Sequence, residues 1–328
     1  MFFKQFYDNN LSQASYLVGC QRTGEAIIID PVRDLTKYME VADSEGFTIT
    51  QAAETHIHAD FASGIRDVAE QLNANVYVSG EGDDELSYRN MPEQTHFVKH
   101  QDIIHVGNIK LEVLHTPGHT PESISFLLTD EGGGSSVPMG LFSGDFVFVG
   151  DIGRPDLLEK SVQMEGSTEV SAKQMYQSIE SVKDLPDYIQ IWPGHGAGSP
   201  CGKALGAVPM STLGYEKINN WAFNVTDESK FVETLTSNQP APPHHFAQMK
   251  KINQFGMNMY QPYDVFPSLD NARIAFDLRS KEAFHGGHTE GTINIPYNQN
   301  FINQIGWYLD YENSIDLIGD KSTVEQAA

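Results

Sequence analysis

Four separated stretches of this 328-residue chain each place a metal-competent side chain directly after, or at the end of, a run that reads as a β-strand. They are Thr55-His56-Ile57-His58-Ala59-Asp60-Phe61, Thr116-Pro117-Gly118-His119-Thr120, Ser143-Gly144-Asp145 and Pro193-Gly194-His195-Gly196. Side chains alternate along an extended chain, so His56 and His58 fall on one face. Glycine or proline beside His119, Asp145 and His195 forces a sharp turn at each. Whatever this chain folds into must bring several strand ends to one point.

The intervals between these stretches narrow the choice. Short β-branched runs at 15–18, 26–30 and 48–54 predict strands, as do 76–78, 97–98, 103–104, 109–114, 124–128, 141–149 and 188–192. Helical spacing predicts helices over 34–46 (closed by Gly46), 61–75, 171–185 and 246–255. The mixture is neither a regular βα alternation nor an all-β array. It suits an α/β fold of two sheets with helices outside, an αββα sandwich. Gln239-Pro240-Ala241-Pro242-Pro243 reads as a stiff linker, and a new α/β unit is expected near Val265. The expected organisation is 1–239, a linker and helix at 240–262, and a small unit at 263–328.

A formal net charge of −23 argues against nucleic acid and anionic membranes as partners. It also means that an anionic substrate needs a local basic patch. Arg154 and Lys203 are the candidates. Only Cys20 and Cys201 are present, far apart, which is no disulfide framework and suits a reducing cytoplasm. The N-terminus lacks a signal-peptide pattern, and no run of about 18 apolar residues occurs. His244 and His245, after the proline stretch, read as surface residues.

Taken in order, the four motifs resemble the metallo-β-lactamase superfamily over roughly residues 10 to 200. One departure is informative: the superfamily's first motif usually ends Asp-His, and here Phe61 follows Asp60. Phenylalanine binds no metal, so a two-zinc hydrolytic site loses a nitrogen. Two imidazoles and a carboxylate remain for one metal with open positions, the arrangement of non-haem Fe(II) oxygen chemistry. Glu54 to Asp60, Thr116 to Pro121, and Gly150-Asp151-Ile152-Gly153-Arg154-Pro155-Asp156 look like the persulfide dioxygenases. Trp192 to Lys203 together with Phe61 is most similar to bacterial fused persulfide dioxygenase–sulfurtransferases of the CstB type. That resemblance implies one Fe(II) per chain, held by His56, His119 and Asp145. It implies oxidation of low-molecular-weight thiol persulfides with O2 to sulfite, possible onward passage to thiosulfate, and a role in sulfide detoxification. A homo-oligomer is also expected. The competing reading is a glyoxalase II-like thioester hydrolase.

Other residues carry open alternatives. His58 either binds metal or orients a ligand or the substrate, the second being favoured. Asp60 either anchors the ligand loop through backbone hydrogen bonds or takes part in catalysis. His195 is expected as a pocket residue against the substrate. Cys201 either carries sulfur or is an inert buried thiol. Arg154 and Lys203 would draw in the anionic carrier.

Near the C-terminus, Asp277-Leu278-Arg279, Gly287-His288, Gly291 and Asn294-Ile295-Pro296 are similar to the start of rhodanese domains. Rhodanese chemistry needs a thiolate in the loop between the strand at 314–318 and the helix at 322–327. Gly319-Asp320-Lys321 contains no cysteine, so a partial, catalytically silent unit is expected.

Overall fold

The computed structural model describes residues 1–82, 86–157, 159, 166–257, 274–309, 311 and 313–328. Its first sheet runs in the order β1 (Phe2–Asp8), β2 (Gln13–Gly19), β3 (Glu25–Ile29), β4 (Thr48–Ala53), β5 (Asn75–Ser79), β6 (Thr95–Val98). The second holds β7 (Ile103–Val106), β8 (Ile109–His115), β9 (Ile124–Asp130), β10 (Gly140–Gly144), β11 (Gln190–Pro193) and β12 (Ser211–Thr212), also neighbours in chain order.

Why the strands read as unbroken apolar runs is now plain. Tyr16, Val18, Ile27, Ile29, Phe126, Leu128, Phe142 and Trp192 point between the two sheets. The alternate residues Leu17, Ala26 and Ile28 point outward under α1 (Thr36–Glu45) and α2 (Ile65–Leu72). Leu127, Leu141 and Ile191 point outward under α3 (Ser167–Val182), α4 (Leu213–Asn219), α5 (Trp221–Asn224) and α6 (Glu228–Thr236). Strands covered on both faces need no polar side. Each buried residue of leucine size adds roughly 1.5–3 kcal/mol of hydrophobic stabilisation. The αββα sandwich expected from the sequence is therefore the fold.

Three local differences matter to the site. Residues 61–64 stay in a loop, and α2 begins only at Ile65, because Ser63 bridges to Val32. β10 stops at Gly144 rather than running to Val149. β1, not anticipated as a strand, pairs with β2 along its whole length.

A third, parallel sheet in the order β14 (Ile293–Asn294), β13 (Ile274–Asp277), β15 (Ile315–Ile318) carries its own apolar cluster around Phe276, Leu278, Ile295 and Phe301. Short helices α8 (Lys281–His285), α9 (Phe301–Ile305) and α10 (Lys321–Ala327) accompany it. The boundary expected at 263 and the start near Val265 lie outside the described residues. Before that gap, α7 (His245–Phe255) packs back onto the first unit, where the sequence suggested only a linking helix.

Candidate metal centre

His56 leaves β4, His119 leaves β8, and Asp145 follows β10, so three strand ends meet. One ligand atom from each lies within 4.8 Å of the others, all three side chains being buried. His56 Nε2 is 3.8 Å and His119 Nε2 3.4 Å from Asp145 Oδ2. Two atoms each about 2.1 Å from a common ion are at most about 4.2 Å apart, so these separations suit a shared cation. Asp145 Oδ2 is buried and has no hydrogen-bond partner among the described residues, a state that a metal would relieve. The residues fit the group.

What holds these ligands is also visible. His119 Nδ1 donates to the Arg154 carbonyl at 2.9 Å, which leaves Nε2 as the lone-pair nitrogen. His56 Nδ1 lies 3.0 Å from the Thr55 hydroxyl, which itself donates to Asp30. Burial, followed by the charge of His58, keeps His56 well below its ordinary pKa and so neutral, as a ligand must be. Burial would raise Asp145, but His195, His56 and His119 outweigh it and hold the carboxyl far below the usual range. Two glycines make the convergence possible. Gly118 has φ 140°, and a Cβ there would meet the Met175 backbone at 2.5 Å. A Cβ on Gly194 would stand 2.8 Å from Asp145 Oδ1.

The remaining expected residues divide. His195 is clasped at both nitrogens, Nδ1 by Asp145 Oδ1 and Nε2 by Asp60 Oδ2, each at 2.7 Å. Burial opposes its charge, yet the two carboxylates raise its pKa well above the ordinary value. Asp60 thus gives Oδ2 to His195. His58 belongs to neither ligand cluster among the described residues; its Nε2 turns to Asp30 at 3.3 Å and Glu54 at 3.9 Å. Burial would lower His58, but Asp30 leads a set of carboxylates that pushes it up to about 9. The Phe61 ring lies 4.5 Å from the His58 ring. Cys201 is buried close to Asp60 and His195, a second group of three potential ligands. Burial, then Asp145 and Asp60, raise its thiol pKa and disfavour the thiolate.

The expected basic patch is not where the sequence put it. Arg154 is fully buried, gripped by both Asp156 oxygens at 2.7 and 2.8 Å and by the Pro200 and Pro240 carbonyls. Its charge is neutralised and its fork is occupied, so it braces the site in place of the substrate contact expected. Lys203 turns its ammonium to the Thr234 and Ser237 carbonyls. His245, expected at the surface, is buried.

Sequence reasoning missed Asp30, Thr55 and especially Asn253. From α7, Asn253 donates to the His58 and Phe61 carbonyls at 2.8 and 2.7 Å and accepts from the Ser63 amide at 2.9 Å. It does the loop-anchoring considered for Asp60.

The family profile described as "Metallo-beta-lactamase superfamily" matches residues 8–195. The chain belongs to that superfamily. Its metallo-β-lactamase relatives of known structure include a metallo-β-lactamase from Staphylococcus aureus subsp. aureus COL, 73% identical. That match covers 100% of this chain and 94% of the other, with TM-score 0.94. ETHE1 from Myxococcus xanthus is 27% identical over 77% of this chain and 98% of its own, with TM-score 0.62. A hydroxyacylglutathione hydrolase from Dictyostelium discoideum is 29% identical over 75% of this chain and 82% of its own. The similarity thus extends to superfamily members of more than one kind.

Proposed function

We propose that this chain is a mononuclear non-haem iron enzyme that oxidises small thiol persulfides with O2, releasing sulfite and the thiol. The observation that carries the reading is the ligand set. His56, His119 and Asp145 converge. Phe61 stands where the superfamily's first motif supplies a further histidine, and His195 is occupied by two carboxylates. Two imidazoles and one carboxylate suit Fe(II), which when bound supplies open positions for a sulfur ligand and O2 together. The likeness to ETHE1, a persulfide dioxygenase, supports the same choice.

This chain's own residues do the rest. Thr55 and the Arg154 carbonyl fix the two imidazoles, and His195 orients Asp145 so that only Oδ2 faces the ligands. The Asp60–His195–Asp145 line keeps His195 protonated and Asp145 ionised, which holds the carboxylate in place to bind a cation. Overall, two oxygen atoms from O2 and one from water end on the terminal sulfur.

A second reading is a two-metal thioester hydrolase. The Asp60, His195, Cys201 group favours it, as does the likeness to hydroxyacylglutathione hydrolase. Protein purified without oxygen and loaded with Fe(II) or Zn(II) decides. Persulfide-dependent O2 uptake with about one iron per chain is expected; zinc-dependent thioester cleavage without O2 uptake overturns the proposal.

A further inference from the structure

The charge problem posed by an acidic protein and an anionic substrate has an answer in α7. Phe246, Lys250 and Asn253 are spaced four and three apart and share one helix face. Phe246 packs on Ala59, Phe148, Leu157 and Cys201, while Asn253 holds the carbonyls of His58 and Phe61. Lys250, between them, therefore faces the loop that carries the first metal ligands. It is 4% exposed, and its ammonium has no hydrogen-bond partner among the described residues. Arg154 is buried too, but it is fully paired. An ammonium taken from water without a partner costs several kcal/mol, so a fold that keeps one there is completed by an anion.

Two further observations agree. Burial lowers the Lys250 pKa, with the charge of Glu122 acting against it. Glu122 spends Oε1 on the Ile57 amide, and its Oε2 is unpartnered. Among the described residues, the lysine is not tied to Glu122 by a hydrogen bond.

We propose that Lys250 is the anion-binding group of the site, its ammonium holding a carboxylate of the thiol carrier or the deprotonated terminal sulfur beside the loop that carries the first metal ligands. This rests on the persulfide reading above and adds the group that selects the substrate.

The test compares Lys250→Met and Lys250→Arg with the unaltered chain, using glutathione persulfide and an alkyl persulfide without carboxylates. Lys250→Met is expected to raise KM for glutathione persulfide roughly ten- to a hundredfold, more than it changes kcat, with iron content kept and Lys250→Arg partly restoring KM. Its thermal midpoint should equal or exceed that of the unaltered chain, because an unpaired buried charge has been removed. A KM increase with both persulfides assigns the terminal sulfur; an increase with glutathione persulfide alone assigns the carrier carboxylate. Unchanged KM for both overturns the proposal. So does a lower thermal midpoint without a KM effect, which makes Lys250 a structural tie to Glu122. If the unaltered chain takes up no O2 with any persulfide, the functional reading fails separately. Calorimetric binding of glutathione to the metal-free protein then still tests Lys250, and equal affinity in Lys250→Met overturns it.

Discussion

The Thr55 hydroxyl donates to Asp30 and lies 3.0 Å from Nδ1 of the candidate ligand His56, so it fixes an imidazole without itself being a ligand. Thr55→Val is expected to keep the fold and to lower metal affinity about ten- to a hundredfold, read by competition with a chelator; Thr55→Ser should recover most of it. Phe61 poses the reverse case. Phe61→His restores a nitrogen next to Asp60, and the metal content of the purified variant is expected to rise from one to two per chain. A count that stays at one would remove the explanation given for the single-metal site. At this scale the sequence made the convergence of His119 and Asp145 legible, because each sits beside its own turn residue. It was misleading where charge alone was the signal. Arg154 and Lys203 looked free because Asp156 and the carbonyls that occupy them are revealed only by folding.

Helix α7 shows what a linear reading loses. Its apolar spacing predicted a helix over 246–255, and the helix spans His245–Phe255. Nothing in that spacing tells which loop Asn253 will meet, since its three hydrogen bonds join residues about 190 positions apart. Asn253→Ala removes all three. At about 1 kcal/mol each, a loss of about 3 kcal/mol is expected in denaturant unfolding, together with a lower metal content. Normal metal content would show that the 58–63 loop holds its shape unaided. Strand β10 illustrates the opposite lesson. Its apolar run continues to Val149, but Gly144 at φ 51° breaks the strand and releases Asp145 toward the ligands.

For the molecule as a whole, two consequences of charge and chain order are measurable. A net charge of −23 repels an anionic persulfide at a distance. Added salt screens exposed charges beyond about 10 Å, so kcat/KM for glutathione persulfide is expected to rise with ionic strength, more steeply than that for an alkyl persulfide without carboxylates. Chain order predicts the effect of shortening. A chain ending at 239 lacks α7 and is expected to lose metal, whereas one ending at 257 keeps it; equal metal content in both would deny α7 its role. The two-sheet architecture was readable because strands buried on both faces leave continuous apolar runs. The contribution of α7 was hidden behind prolines that resemble a spacer.

The same helix touches the far unit as well. The Trp307 ring lies 4.2 Å from that of His244, and a Cβ on Gly306 would stand 2.6 Å from His245 Nδ1. Eleven residues of helix measure only about 16 Å. Load placed on the carboxy-terminal sheet is therefore expected to reach, through one stiff rod, the loop that carries the candidate ligand His56.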